Sequence, residues 1–414
     1  MLAWSMCVPW VRLNLCEIMN TRNSLGVTRR SLLRQSFLGG SAWIWGLNPL
    51  RLPRSLLPRT PDAGAGGSVL GLIPFSGEGR PPMGELIGTE LDGRLFTDLS
   101  ALTPETPVTP ADSFFIRTRA SKLLDTSKQW TIQVAGRIEK PITIAAEVWV
   151  KNSRPMGIHL MECSGNTRSA HFGMMSVAAW DGVSLQEILE TAKPQRSGVQ
   201  VLVSGYDRYQ EESMTSEPGA SWIFRPDQLF SSKAFLATKM NGQPLGADHG
   251  APVRLMVPGW YGCVCVKWVN QIEFVSDDAP ATSQMQEYAS RTMQMGIPSL
   301  ARDYRPAMVE IAAVPTRIEK RLVGGKIKYR VTGIQWGGPA PSQAIEIRFD
   351  PIENFVPVKN IASSQSTNLC FWSHEWSPSR TGKFTIRLRL NAANINARRL
   401  NSGYYDRSVE IAEI

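Results

Sequence analysis

The sequence predicts an α+β fold, a mixed domain of short strands and helices followed by a β-sandwich of immunoglobulin type. Three observations predict it. The 414 residues, 43% hydrophobic and 20% charged, suffice for two or more domains with their own cores and exclude a disordered chain. Gly (34) and Pro (28) are plentiful, which favours many turns over long helices, bundles or coiled coils. Strand-like and helix-like stretches mix between Thr131 and Ser276, whereas beyond residue 309 the apolar residues recur with a period of two.

The first segment, 1–60, stands apart by charge. It holds eight arginines, no lysine and one acid, Glu17, and so carries +7 of the formal +9. The body is close to neutral, which argues against a nucleic-acid partner. Thr28–Arg34 reads T-R-R-S-L-L-R and precedes a short apolar stretch, Ser36–Leu50, interrupted by Gly39, Gly40 and Gly46. This stretch is too short to span a bilayer. The pattern resembles a twin-arginine export signal, with Leu32 for the usual Phe and Arg34 for the usual Lys. The resemblance implies a periplasmic protein exported folded, as cofactor-loaded proteins commonly are. Met19 is the expected true start, because the residues before it lie unusually far upstream of the arginine pair.

Residues 61–110 read as a linker and N-terminal extension. The mixed domain, 111–276, contains candidate strands at Thr131–Val134 and Val199–Val203 and a candidate helix at Leu185–Thr191. Residues 277–308, with two prolines and few apolar anchors in Asp277–Arg305, form a crossing linker. In the last segment, 309–414, Ile327–Val331, Ile345–Phe349 and Phe384–Leu390 alternate. Gly324-Gly325, Gly337-Gly338 and Thr381-Gly382 supply turns, and such short alternating strands build a sandwich.

The chain contains no C-x-x-C-H for covalent haem, no paired C-x-x-C, no H-E-x-x-H, no Walker loop and no G-x-S-x-G. Four histidines are too few for a polyhistidine metal site. Of the cysteines, Cys163, Cys263, Cys265 and Cys370 lie in the body, where an oxidising compartment would allow three pairings; free thiols are the expected state. Cys263 and Cys265 sit in an apolar run and read as core.

Two segments carry chemistry. Gly157–Arg168 reads G-I-H-L-M-E-C-S-G-N-T-R, an apolar run ending in Glu162-Cys163 and breaking at Ser164-Gly165-Asn166. Cys163 thus belongs at a strand end, on a loop whose N–H groups and Arg168 surround it. Such a thiol tends toward thiolate, which is a nucleophile or a soft-metal ligand. His249–Trp268 reads H-G-A-P-V-R-L-M-V-P-G-W-Y-G-C-V-C-V-K-W. His249, Arg254 and Lys267, interleaved with glycines such as Gly262, suit an anionic, phosphate-bearing ligand.

Together these segments resemble the sulfite oxidase family of molybdenum enzymes. The E/Q-C-A-G-N-x-R loop matches Glu162–Arg168, with Ser164 for the common Ala. W-x-G-V-x-L matches Trp180, Gly182, Val183 and Leu185. The H-G-x-P-x-R…V-P-G-x-x-G…V-K-W run matches His249–Trp268 without a gap. An F-x-R-N-H element is matched in part, with Arg117 in place but Thr118 and Arg119 for Asn-His. The likeness covers residues 80–300 well and the rest loosely.

The resemblance implies a sulfite oxidase-type mixed α/β molybdopterin-binding domain followed by an immunoglobulin-like dimerisation domain, hence a homodimer. It implies a molybdenum-molybdopterin cofactor with Cys163 as the one protein thiolate on the metal. Ser164, Asn166, His249, Arg254, Gly262 and Lys267 would bind the cofactor, and Arg117 and Arg168 would line an anion pocket. Twenty residues past the K-W pair, Tyr288 matches the family's active-site tyrosine and would donate a hydrogen bond toward the reacting oxygen; the alternative is a surface tyrosine in a linker. The family's further arginine from the C-terminal domain has no counterpart in Asn368–Trp372. Sulfite is the leading substrate, with electrons passing to an external acceptor such as a c-type cytochrome. A sulfoxide reductase or sulfane dehydrogenase would use the same centre. A cysteine hydrolase pairing Cys163 with His159 or His171, or a non-catalytic binding protein, are the remote alternatives.

Overall fold

The computed structural model describes residues 67–414 except 126, 195–198, 339–343, 365–368, 393, 394 and 396. The twin-arginine stretch, Met19, Cys7, Cys16 and Asn368 lie outside the described residues.

The period-two segments pair as their pattern requires. Ala312–Val323 and Lys326–Trp336 form a hairpin closed by Gly324 and Gly325, both at positive φ, and Lys326–Trp336 pairs in turn with Leu369–Trp376. Ile345–Arg348, Gly382–Leu390 and Arg407–Ile411 build a second antiparallel sheet. In Gly382–Leu390 the residues Phe384, Ile386, Leu388 and Leu390 are buried and those between them are not, the signature of a strand with one face on a core. The inner faces of both sheets meet in one apolar cluster containing Val331, Trp336, Trp372 and Ile386.

The stretch expected as a linker before residue 110 is in part sandwich. Ser68–Leu72 adds an edge strand to the first sheet and Phe75–Ser76 to the second. Arg407 fixes this attachment: its guanidinium bonds the Glu78 carboxylate at 2.5–3.2 Å and lies 3.6 Å from the Phe75 ring centroid. Phe75–Ser76 is too short to show a period and Ser68–Leu72 is exposed along its whole length, so neither carries an alternating pattern in sequence.

The mixed region holds two further sheets. Val269–Ser276 pairs parallel with Thr131–Gly136 and antiparallel with Val199–Gly205. Arg154–Glu162, Met175–Ser184 and Phe235–Met240 form the other, with Glu162 opposite Met175 at its end. The helix Leu185–Thr191 falls where expected and buries Leu185, Ile188 and Leu189, an i, i+3, i+4 stripe. Gly182 allows Phe235–Met240 to cross closely, since a Cβ there would lie 2.2 Å from the Leu236 carbonyl oxygen. The crossing segment is more structured than expected: the helix Ser283–Glu287 is capped by the Thr282 hydroxyl, which accepts from the Met285 N–H, and Tyr288 follows directly.

A Cβ at Gly333 would lie 2.2 Å from the Trp372 ring and 2.3 Å from the Val314 carbonyl oxygen. Gly333→Ala is therefore expected to destabilise the protein by about 1–3 kcal/mol through overpacking, measured by urea denaturation. An unchanged midpoint would show that the sandwich core is looser than this packing.

Candidate active site

Cys163 follows the strand Arg154–Glu162 directly, and its own N–H donates to the Met174 carbonyl oxygen, so sheet pairing fixes where the thiol emerges. The chain then turns, with the Asn166 N–H donating to the Cys163 carbonyl. The Gly165 N–H points at the Cys163 sulfur, 3.4 Å away. Asn166 is a frame for this loop. Its amide donates to Glu162 Oε1 at 3.2 Å and accepts from the Met174 N–H at 3.1 Å, while its carbonyl accepts from the Tyr404 hydroxyl at 2.6 Å. Beneath lies Glu162, fully buried and bonded by the Trp336 indole N–H at 2.8 Å. Burial pushes its carboxyl up to about 7, although both hydrogen bonds oppose the shift.

The thiol opens into a cavity whose lining includes Arg117, His249, Arg254, Gly262, Lys267 and Tyr288. Chain segments separated by up to 171 positions thus converge, as the motif spacing leads one to expect. Three of these residues are cations bonded only to neutral groups among their hydrogen-bond partners. Arg117 donates to the Ser216 hydroxyl at 2.9 Å. Arg254 donates to the carbonyls of His249 and Cys265, both at 3.1 Å, and its Nε is buried with no partner among the described residues. Lys267 donates to the carbonyls of Thr118 and Asp248. The Asp248 carboxylate is engaged elsewhere, by Arg119 Nε at 3.1 Å and the Ala120 N–H at 2.7 Å. Thr118 and Arg119, which depart from the resembled motif, therefore serve to hold the lysine and this acid.

Burial drives the titration of the lining groups. It lowers Arg254 to about 10 and pushes Lys267 well down, with Arg254 adding repulsion. His249 is held down to about 4 by burial and then by the charges of Arg254 and Lys267, so it is neutral at pH 7; its Nε2 lies 3.2 Å from the Ala111 carbonyl oxygen. Burial raises Cys163, opposed by Arg117 and the Gly165 N–H. Tyr288 is raised by burial and then by Cys163, so its phenol keeps its proton.

The cavity wall also carries Asp207, Glu217 and Glu287, but the three cations donate their hydrogen bonds to neutral groups; a cation so placed gains from an anionic ligand. The cavity also presents one thiol supported by a backbone N–H. A phosphate-bearing pterin that carries a soft-liganded metal fits this donor set. Arg254, Lys267 and His249 would hold the pterin and its phosphate, Cys163 would hold the metal, and Arg117 would remain for an anionic substrate. Gly262 gives the loop room, because a Cβ there would approach Met161 and the Glu162 carbonyl at 3.2–3.3 Å. The Ser164 hydroxyl faces the Cys263 thiol.

Three expected site residues are not among those lining the cavity: Ser164 and Asn166, which turn to Cys263 and to Glu162 and Met174, and Arg168. Arg168 is solvent-exposed and not among the cavity-lining residues; the turn at Ser164–Asn166 carries it outward, where it faces Asp406. The sandwich does send an arginine to the loop, at a place not expected: Arg399 donates to the Ser164 carbonyl at 3.1 Å and to the Arg291 carbonyl at 2.9 Å. Arg291, also missed, stacks 5.2 Å over the Tyr288 ring and acts electrostatically on Cys163. Neither residue lies in a motif, and only the fold reveals them. A cysteine–histidine dyad is not assembled: His159 Nε2 lies 2.8 Å from the Met156 carbonyl oxygen, His171 Nε2 lies 2.7 Å from that of Gly79, and neither lines the cavity. Cys163, Cys263, Cys265 and Cys370 are free, and the first three line the cavity, so Cys263 and Cys265 are wall as well as core.

Comparison with known proteins places this geometry. Residues 120–283 match the oxidoreductase molybdopterin-binding domain. The nitrate reductase (NADPH) of Beauveria bassiana is 29% identical over 241 residues, covering 52% of this chain and 26% of that protein. The sulfite oxidase of Arabidopsis thaliana is 25% identical over 282 residues, covering 60% and 69%, and that of Gallus gallus is 25% identical over 260 residues, covering 57% and 55%. The chain thus spans about a quarter of the nitrate reductases' length. The sulfane dehydrogenase SoxCD of Paracoccus pantotrophus has the same fold, with TM-score 0.58 over 79% of this chain and 88% of that chain at 19% identity. The matched domain and the cavity are of the molybdopterin-binding class, the domain type found in these oxidoreductases. Within that class, the chain is similar to the sulfite oxidases over more than half of its length.

The neutral His249 carries a pH signature. Its folded pKa of about 4 lies below the unfolded value of about 6.5, so the unfolded chain binds the extra proton between them. Its contribution to stability is complete above about pH 6.5 and lost as pH falls toward 4. Urea denaturation of cofactor-free protein at pH 7.5 and 4.5 should show a loss smaller in His249→Gln than in wild type, by on the order of 3 kcal/mol. Parallel losses would mean that the imidazole titrates as it does in the unfolded chain.

Proposed function

We propose that the protein moves an oxygen atom to or from sulfur in a small sulfur compound, with oxidation of sulfite to sulfate as the leading reaction. The observation that carries this reading is the single cavity in which the Cys163 thiol meets Arg117, Arg254 and Lys267, cations bonded to neutral groups, and the half-buried Tyr288. When bound, molybdenum-molybdopterin supplies two-electron redox chemistry coupled to oxygen transfer.

The chain's own residues supply the rest. Cys163 binds the metal and tunes its potential as a thiolate. Arg254 and Lys267 neutralise the cofactor phosphate, and neutral His249 leaves the pterin edge a hydrogen-bonding partner rather than a further charge. Arg117 binds the substrate anion. Tyr288 holds its phenolic proton and donates it as a hydrogen bond to a substrate oxygen, orienting the substrate. Electrons leave to an external acceptor, with a c-type cytochrome the leading candidate. Export by the twin-arginine route to the periplasm and assembly as a homodimer complete the proposal.

The test is elemental analysis with paired assays on protein from a host that makes the pterin. Wild type should hold about one molybdenum per chain and oxidise sulfite with an artificial acceptor faster than it reduces methionine sulfoxide. Metal without sulfite turnover would move the substrate to another sulfur compound, and absence of metal would remove the reading. Tyr288→Phe should lower kcat roughly 10- to 100-fold with metal content intact. An unchanged rate would return Tyr288 to a structural role.

A further inference from the structure

Arg399 comes from the short helix Arg398–Asn401 of the sandwich, 235 positions beyond the loop it touches. One atom, Nη2, donates to two carbonyls on different segments. The Ser164 carbonyl belongs to the residue after the thiol, and the Arg291 carbonyl belongs to the turn that begins at Tyr288. The guanidinium is itself held: Glu310 lies 3.6 Å from Nε, and the rings of Tyr261 and Tyr404 lie 5.4 Å away. Tyr404, five residues on, donates to the Asn166 carbonyl at 2.6 Å, a second tie from the same segment to the same loop. The Arg399 side chain is 11% exposed.

We propose that Arg399 is a positioning residue that sets the spacing between the Cys163 loop and the Tyr288–Arg291 segment across the cavity. A buried planar guanidinium is suited to this, because its donors are fixed relative to each other while the carboxylate and rings orient it. One nitrogen holds the Ser164 and Arg291 carbonyls, so loss of the guanidinium frees both together. The assignment gives the sandwich a part in the site that the matched domain, residues 120–283, does not contain. It rests on the proposed role of Cys163 only for its catalytic consequence.

The test uses cofactor-free full-length protein, with iodoacetamide alkylation of Cys163 followed by peptide mass spectrometry and the other free cysteines as internal references. Arg399→Gln should raise the Cys163 alkylation rate at least 10-fold relative to Cys370. Arg399→Lys keeps the charge beside Glu310 and the rings but loses the rigid fork, so it should give a smaller increase, and it serves alone if the glutamine variant does not fold. In loaded protein, kcat should fall more than KM rises. Wild-type alkylation rates in the folded variants would overturn the proposal, whatever the melting temperature does. Because the alkylation needs neither metal nor substrate, its outcome is independent of whether the proposed reaction is correct.

Discussion

Three cations held by neutral groups in one partly buried cavity beside a thiol are the constraint on which this structure turns. Arg254 is almost wholly buried, and its partners are carbonyls; Lys267 and Arg117 likewise spend their protons on carbonyls and a hydroxyl. Taking cations out of water without a carboxylate to meet them is unfavourable, and burial depresses both Arg254 and Lys267 as a result. Of the acids in the cavity wall, which include Asp207 and Glu217, Asp248 is turned to Arg119, while Glu287 acts on Arg117 through charge rather than a hydrogen bond. An anion bonded to these cations would stabilise the arrangement, which suits the cavity to a phosphate-bearing group.

The thiol is placed by a different set of forces. Strand pairing brings Cys163 to a sheet end, and a polar frame of Glu162, Asn166, Trp336 and Tyr404 fixes the turn that follows. Two members of that frame, Trp336 and Tyr404, belong to the sandwich. The loop that carries the proposed metal ligand is therefore shared between the mixed domain and the sandwich, and the apolar cluster of the sandwich extends to Met175 and Val177 on the strand facing Cys163's own. Stability of the sandwich and geometry of the site are coupled through these contacts.

Much of this was legible in the chain. Motif residues that lie close in sequence, such as His249, Arg254, Gly262 and Lys267, keep together because one continuous stretch of backbone, including the strand Arg254–Met256, presents them all. The helix Leu185–Thr191 and the alternating strand ending at Leu390 follow from local periodicity. What escaped was decided by tertiary contact. Arg168 shares a motif with Cys163, yet the turn between them sends it to the surface beside Asp406. Arg399 meets Ser164 across 235 positions with no pattern to mark it, and Phe75–Ser76 is too short a strand to alternate. Spacing within a motif predicts which residues travel together; it does not predict which way a loop turns.

The central claim is a bond between the Cys163 sulfur and molybdenum, and the direct test counts that metal's sulfur neighbours. X-ray absorption at the molybdenum edge of loaded protein should show three sulfur scatterers, two from the pterin dithiolene and one from the chain, falling to two in Cys163→Ser. Two sulfurs in wild type, or three in both proteins, would contradict the account.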